Sequence, residues 1–259
     1  MTAIYYADAV AEPLRGARNM AVDHALLEQT QRDQLPILRL YRWQPACLSF
    51  GRNQSARGIY DGGAAAQRGI EIVRRPTGGL AVLHDRELTY AFCAPAPLLD
   101  GPRNTYVTVN RALVSAFRQL GVPAELSAGR QRSRFGTVQS CFAEPAAGEV
   151  VANGLKLVGS AQRCERHTIL QHGSILLEHT QTDVARISSA PFDMSGRATN
   201  VHALLGEVPP LGALIEAIVA GFKQVCGICL APAQLAARTE ARARELERLY
   251  ASAEWTWRR

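Results

Sequence analysis

Three stretches of this 259-residue chain carry side chains suited to chemistry. Ser140-Cys141-Phe142 is followed by Asn153-Gly154, and Lys156 stands two residues beyond that dipeptide, leading into Val158-Gly159-Ser160-Ala161-Gln162. Acyl transfer between thioesters and amines needs a group that attacks well and also leaves well, and a thiolate does both. A lysine ammonium close to Cys141 would lower the thiol pKa and stabilise the anion. The small residues Gly159, Ser160 and Ala161, expected as a turn, leave room for backbone amides to face a developing oxyanion. The ordinary use of a cysteine is as a buried apolar filler, and a lone strand lysine ordinarily faces solvent.

The second stretch is Arg74-Arg75-Pro76-Thr77-Gly78-Gly79, which follows a short apolar run and precedes Leu80-Ala81-Val82-Leu83-His84-Asp85. Paired glycines let a backbone approach a ligand closely, since no Cβ intervenes. Adjacent arginines offer planar donor forks to carboxylate or phosphate. The plainer reading is a tight turn with two solvated arginines. The spacing matches neither a P-loop nor a dinucleotide fingerprint. His84 lies among Asp85 and Glu87, where a structural hydrogen bond is the ordinary role. No histidine pair stands at metal-ligand spacing, so no metal is expected. The third stretch, Cys226-Gly227-Ile228-Cys229, has no second pair for zinc and no preceding strand for a redox motif, and reads as structural.

The elements that must position these groups follow from hydrophobic period and punctuation. Residues 19–30 read as a helix with Asn19 as cap. Residues 36–43 read as a strand, 58–69 as a surface helix or loop, 70–73 as a short strand and 88–93 as a longer one. Pro95, Pro97, Gly101 and Pro102 mark a loop. Residues 105–120 form a helix, ended by Gly121 and Pro123. Asn153-Gly154 between runs 149–152 and 155–158 signals a hairpin, because a type I′ turn needs positive φ at both central residues. Residues 169–177 read as a strand. Leu211, Leu214, Ile215, Ile218 and Phe222 make one helical stripe, and residues 232–250 an exposed last helix. The hairpin favours an antiparallel sheet, hence an α+β fold, a mostly antiparallel sheet flanked by helices.

Composition bounds the answer. Hydrophobic residues make up 47% and charged ones 20% without a long single-sign block, which excludes a disordered chain. The net charge of +6 favours acidic partners. No aromatic–basic motif accompanies it, which argues against nucleic-acid binding. No secretory leader and no run long enough to span a bilayer is seen, so the six cysteines are expected reduced, in the cytoplasm, with no membrane role.

Together these stretches resemble the biotin/lipoate protein ligase superfamily. Arg74 through Asp85 is similar to its arginine–glycine loop, Glu87-Leu88-Thr89-Tyr90 to the continuation seen in octanoyltransferases, and Asn153 through Gln162 to its lysine motif. Gln171-His172-Gly173-Ser174-Ile175, the early Asn19-Met20-Ala21-Val22-Asp23 and the terminal Glu254-Trp255 also fit. ATP-dependent lipoate ligases typically carry Asn-Asp near the position of Ser140-Cys141; Ser-Cys here resembles the Bacillus-type octanoyltransferases and their amidotransferase relatives. Leu80 departs from the family, which often has Arg or Gly there. A shorter octanoyltransferase branch places its cysteine later, a role for which Cys164 ranks below Cys141.

The resemblance implies the superfamily's catalytic-domain fold in one domain over residues 1–259, monomeric and without a cofactor. It implies a ping-pong reaction: Cys141 takes octanoyl from octanoyl-acyl carrier protein and passes it to a lysine of a lipoyl-domain protein, the glycine-cleavage H protein or an E2 subunit. Lys156 would activate the thiol. Amides of Gly159, Ser160, Ala161 and Gln162 and the Gly78-Gly79 loop would line the acyl site with Thr77, His84, His172 and Gly173. Arg74 and Arg75 would shape the tunnel mouth or face the acidic carrier. The alternatives are an amidotransferase moving octanoyl from H protein to E2, and an ATP-dependent lipoate ligase.

Overall fold

The computed structural model describes residues 2–129, 142, 145–178, 181–189 and 196–259. In chain order the elements are β1 (Thr2–Tyr6), α1 (Asp8–Ala11), α2 (Gly16–Asp33), β2 (Ile37–Tyr41), β3 (Cys47–Phe50), α3 (Gly62–Gln67), β4 (Glu71–Arg74), β5 (Val82–His84) and β6 (Glu87–Pro95). Then come α4 (Pro102–Gln119), β7 (Ala124–Leu126), β8 (Val150–Ala152), β9 (Leu155–Lys156), β10 (Val158–Glu165) and β11 (Thr168–Leu176). The chain ends with α5 (Val201–Leu205), α6 (Leu211–Cys226), β12 (Cys229–Pro232), α7 (Ala237–Ala251) and α8 (Ala253–Thr256).

A six-stranded sheet in the order β10-β11-β6-β2-β1-β12 forms the centre, with three-stranded sheets β4-β3-β5 and β7-β8-β9 beside it. The pairings among β10, β11, β6 and β2 are antiparallel, whereas β1 runs parallel to both β2 and β12. The fold is thus α+β with mostly antiparallel sheets, as expected. Side chains alternate along β6 and β11, so one sheet has two faces. Leu88, Tyr90, Phe92 and Ala94 pack against α4 and α6 through Leu113, Phe117, Ile218 and Phe222. Ala91, Cys93 and Leu170 face α2 and α7 through Met20, Ala25, Ala243 and Leu246. The second sheet covers the part of this α2 face where the polar residues gather.

Several local expectations need correction. Asn19 does not cap α2. The helix begins at Gly16 after an extended Arg15, and Asn19 is buried one turn in, where its Nδ2 donates to the carbonyls of Leu14 (3.2 Å) and Arg42 (3.1 Å). The last helix is not a solvated one: Thr239, Ala243, Leu246 and Tyr250 are buried against α2. Of the two readings offered for 58–69, helix or loop, the structure has the helix α3, capped by Asp61, whose carboxylate accepts from Gly63 (2.8 Å) and Ala64 (3.0 Å). Gly159-Ser160-Ala161 is not a turn but lies in β10, paired with Ser174, Gly173 and His172. The Asn153-Gly154 hairpin stands as expected, with φ of 51° and 76° at its two central residues.

Candidate functional site

Lys156 is fully buried on β9. Its Nζ lies 2.7 Å from Glu149 Oε2 and 5.3 Å from the centre of the Phe142 ring. A buried ammonium is tolerated only when paired, and Glu149 supplies the pair. The hairpin explains their meeting. Its register sets Val151 opposite Lys156, so Glu149 is the diagonal neighbour on the same face. Phe142 in turn lies over Gly159, where a Cβ would come within 2.7 Å of the ring, so β10 carries a glycine there to admit the aromatic. Cys141, which precedes Phe142 in the chain, lies outside the described residues.

Across the α2 face runs a chain of buried polar groups. Thr77 Oγ1 is 2.6 Å from His172 Nε2, and His172 Nδ1 is 2.9 Å from Asp23 Oδ2. Asp23 also accepts from Tyr41 (2.7 Å) and forms an ion pair with Arg39 at 2.7 Å. Burial pushes the Asp23 carboxyl up, but the His172 hydrogen bond and the Arg39 charge outweigh it and hold it below the ordinary value. Burial pulls His172 below the usual imidazole value in spite of the Asp23 bond, so the ring is neutral at pH 7. A carboxylate can only accept, so Nδ1 carries the proton and Nε2 accepts from the Thr77 hydroxyl.

A second chain of the same kind stands nearby. Ser49 Oγ is 2.8 Å from His84 Nε2, and His84 Nδ1 is 3.1 Å from Glu87 Oε1. Thr89 and Ser174 also donate to Glu87. Trp43 stacks on the His84 ring, centroids 4.0 Å apart and planes 13° from parallel, and its Nε1 donates to Thr89 at 2.7 Å. Between the two chains lies a narrow pocket, with about 20 Å3 of space open to the centre of a water molecule. Met20, Tyr41, Trp43 and Val82 give it apolar walls; Ser49, Arg75, His84 and His172 give it polar ones; Gly159, Ala161 and Gly173 let strand backbone form part of the wall. Mostly apolar walls with a few converging polar groups are the lining expected of a small-molecule site.

The two arginines differ from expectation. Both are buried rather than solvated. Arg74 donates to the carbonyls of Gly51 (2.7 Å), Gln54 (2.7 Å) and Thr256 (2.9 Å), tying the last helix to the loop after β3. Burial and the charges of Arg258 and Arg259 bring its pKa down to about 10. Arg74 is therefore a structural clamp and does not face a carrier. Arg75 donates to the carbonyls of Ser49 (2.8 Å), Gly78 (2.8 Å) and Leu80 (2.7 Å), so it curls the glycine loop around its own guanidinium at the cavity wall. Gln162 lies outside the cavity and donates to Pro102 (3.0 Å) and Gln171 (3.2 Å). Ser160 joins Tyr90 (2.7 Å) and Asn110 (3.3 Å) in a network on the α4 side. Because β10 is an edge strand bonded to β11, only alternate amides of 159–162 are directed away from that ladder.

Sequence reasoning missed Asp23, Ser49 and Glu149 as parts of these networks, whereas the structural hydrogen bond expected of His84 beside Asp85 and Glu87 is the one it makes to Glu87. Asp23 was discoverable as the residue one turn after Asn19 on a buried helix face, and Glu149 from the hairpin register. Ser49 carried no signal, since β3 was not foreseen. The cysteines other than Cys141 behave as fillers or bystanders: burial raises the thiols of Cys47 and Cys93 well above the ordinary value and that of Cys226 to about 12, while Cys164 and Cys229 are exposed. Among the described residues no group of three or more His, Cys, Asp or Glu is placed to hold a metal ion, and no helix is long and apolar enough to cross a membrane.

Comparison with known proteins gives this architecture a class. The lipoyl protein ligase A/B catalytic domain matches residues 15–223, and the chain belongs to that family. Octanoyltransferase LipM of Kyrpidia tusciae is 37% identical over 260 residues, covering 94% of this chain and 95% of that one. Octanoyltransferase LipM of Moorella thermoacetica is 35% identical over 255 residues, covering 93% of each. These relatives place the chain in the LipM branch of the family. Among solved structures, a lipoate protein ligase of T. acidophilum with bound lipoic acid is 25% identical with a TM-score of 0.81, covering 99% of this chain and 100% of that one. A lipoate-protein ligase A bound with ATP shares the fold, with a TM-score of 0.83 at 24% identity and 99% coverage of both chains.

Proposed function

We propose that this protein is an octanoyltransferase of lipoate biosynthesis that works through a thioester on Cys141. The observation that carries the reading is Lys156: a fully buried ammonium, fixed by Glu149 at 2.7 Å, against Phe142, the residue joined to Cys141. Its relatives are named octanoyltransferases, and the resemblance sets Ser140-Cys141 near the position where ATP-dependent lipoate ligases typically carry Asn-Asp.

In the first half-reaction the Cys141 thiolate attacks the thioester carbonyl of octanoyl-acyl carrier protein. The tetrahedral adduct expels the carrier thiolate and leaves S-octanoyl enzyme. The Lys156 ammonium favours the thiolate of Cys141, and Glu149 keeps that ammonium in place. In the second, the amine of an acceptor lysine on a lipoyl domain (H protein or E2 subunit) attacks the new thioester. The Cys141 thiolate leaves with the proton that the nitrogen gives up, and an amide remains. The acyl chain lies between Trp43, Met20 and Val82, with alternate β10 amides and the Gly78-Gly79 loop at its carbonyl end. His172 and His84, each locked by a carboxylate, shape the polar wall. Residues 1–259 act as one catalytic domain, as a monomer, in the cytoplasm, where thiols stay reduced.

Intact-protein mass spectrometry after mixing with octanoyl-acyl carrier protein, without ATP, tests this. The expected result is a hydroxylamine-sensitive octanoyl adduct on the native protein that is absent from Cys141→Ala. An adduct that forms only from octanoyl-H protein would reassign the donor and make the enzyme an amidotransferase. Activity that needs ATP and survives Cys141→Ala would sink the thioester mechanism.

A further inference from the structure

Arg74 and Arg75 are committed to backbone carbonyls, which leaves the use of the chain's excess positive charge open. A different set of arginines gathers beside the cavity. Gly159, Ala161 and Arg163 are alternate residues of β10 and so share a face; the first two line the cavity, and Arg163 stands one rung beyond. The backbone amide of Arg52 donates to Thr77 O at 2.7 Å, which sets Arg52 directly against the glycine loop. Arg258 donates to the carbonyl of Arg52 and stacks its guanidinium on Trp255, 4.0 Å from the ring centre, with the Arg52 guanidinium 5.8 Å from the same ring.

These charges crowd one another. Burial and the neighbouring charges of Arg52, Arg259 and Arg163 hold Arg258 below the ordinary arginine value, and burial and Arg52 do the same to Arg163. Arg163 has Glu165 at 2.5 Å; among the described residues Arg52 and Arg258 make no ion pair with a carboxylate. Arg258 Nε is buried with no hydrogen-bond partner. Like charges drawn together on an aromatic ring, one donor unused, are an arrangement that self-repulsion opposes until an anionic surface meets it.

We propose that Arg52 and Arg258, held on Trp255, together with Arg163 on β10, are the docking surface beside the cavity for the acidic carrier protein that delivers the acyl group. This rests on the octanoyl-transfer reading above and assigns its donor contact. The cluster flanks both walls of the slot, the β10 strand and the glycine loop, so a carrier bound there has its thioester arm directed at the cavity. Steering by such a patch raises the encounter rate and makes it fall with salt.

The test measures single-turnover acylation from two donors, octanoyl-acyl carrier protein and the small thioester S-octanoyl-N-acetylcysteamine, in the native protein, Arg52→Glu, Arg258→Glu and the double variant. Expected are a loss of about tenfold or more with the carrier for the double variant, less than about twofold with the small thioester, and a native carrier rate that falls steeply with ionic strength while the small-thioester rate does not. Carrier rates that ignore both salt and the substitutions would overturn the docking surface. Equal losses with both donors would also overturn it, by making the arginines part of the fold or cavity; the native salt series needs no variant and stands if a variant fails to fold. Unchanged acylation with slowed transfer to a lipoyl domain would move the surface to the acceptor and refute the donor assignment. If the native protein is acylated by neither donor, the octanoyl-transfer reading itself fails.

Discussion

The two faces of the central sheet are built from alternate residues of the same strands, and differ in that the second sets a buried polar cluster beside its apolar core. Towards α4 and α6, β6 presents Leu88, Phe92 and Ala94 to Leu113, Phe117 and Phe222. Towards α2 and the second sheet the same strand presents Glu87 and Thr89, β11 presents His172 and Ser174, and β2 presents Arg39 and Tyr41. The first face stabilises by transfer of apolar area out of water, at about 25 cal/mol per Å2. The second gains less from transfer and loses heavily wherever a partner is missing, because polar groups there sit in low dielectric. The same property makes it specific: Asp23 has one arrangement that satisfies Arg39, Tyr41 and His172 together, so the imidazole is held to one tautomer at the cavity wall. Apolar packing on both faces holds the fold together, and the polar part of the second supplies fixed directions for chemistry.

The largest effects come from separating these roles. Lys156→Met is expected to slow acylation from octanoyl-acyl carrier protein by about 100-fold or more. It also strands Glu149 in the interior, a loss of roughly 3–5 kcal/mol. Adding Glu149→Gln should recover much of that stability and none of the rate. Phe222→Ala on the opposite face costs a similar roughly 3–5 kcal/mol by leaving a cavity, yet should leave the acylation rate of the folded molecules unchanged. Rapid-quench acylation alongside denaturant midpoints reads both quantities. A rate defect in folded Phe222→Ala would break the division between the faces.

Acid distinguishes the faces next. His172 and His24 have folded values below the unfolded 6.5, chiefly through burial. As pH falls below about 6.5 the unfolded chain takes up protons that the folded chain refuses, so stability drops. Asp23 has a folded value below the unfolded 3.8, so its stabilisation is complete above that value and is lost as pH falls further, through the folded value. Denaturant midpoints should therefore decline in two windows on acidification. His172→Gln should shrink the first decline and, because the His172 hydrogen bond helps to hold Asp23 low, reduce the second as well. Tyr90, on the apolar face and raised to about 12, adds nothing to either window. If His172→Gln left the decline below 6.5 unchanged, burial of that imidazole would not be its source.

Much of this was legible in the sequence because period and turn chemistry are local. The long helices, β6, β11 and the Asn153-Gly154 hairpin needed only apolar spacing and two residues that accept positive φ. The family's motifs also brought Thr77, His84, Lys156 and His172 into view before their neighbours were known. What escaped depended on tertiary partners. β1 and β12 pair in parallel across more than 200 residues, and no local pattern announces that. Arg74 and Arg75 look like solvent-facing donors until Gly51, Gln54, Ser49 and Thr256 surround them with carbonyls. Arg52 and Arg258, 206 residues apart in sequence, meet only through the fold.

The smallest effects lie in the glycine loop, where two adjacent residues of identical chemistry have different surroundings. Gly79 has φ of +88°, and a Cβ there would stand 2.8 Å from Arg75 Nη2. Gly79→Ala should cost about 1–3 kcal/mol in backbone strain and displace the guanidinium from the cavity wall. A Cβ on Gly78 would meet nothing within 4 Å. Gly78→Ala should change stability by less than about 0.5 kcal/mol. Thermal denaturation ranks the two. Acylation kinetics of Gly78→Ala then decides what the open space is for. A raised KM at unchanged stability means that the acyl group passes over Gly78 and uses the missing Cβ. Unchanged kinetics means that the pair serves only the left-handed backbone at Gly79, and that the loop belongs with the polar networks that shape the wall rather than with the surface that touches substrate.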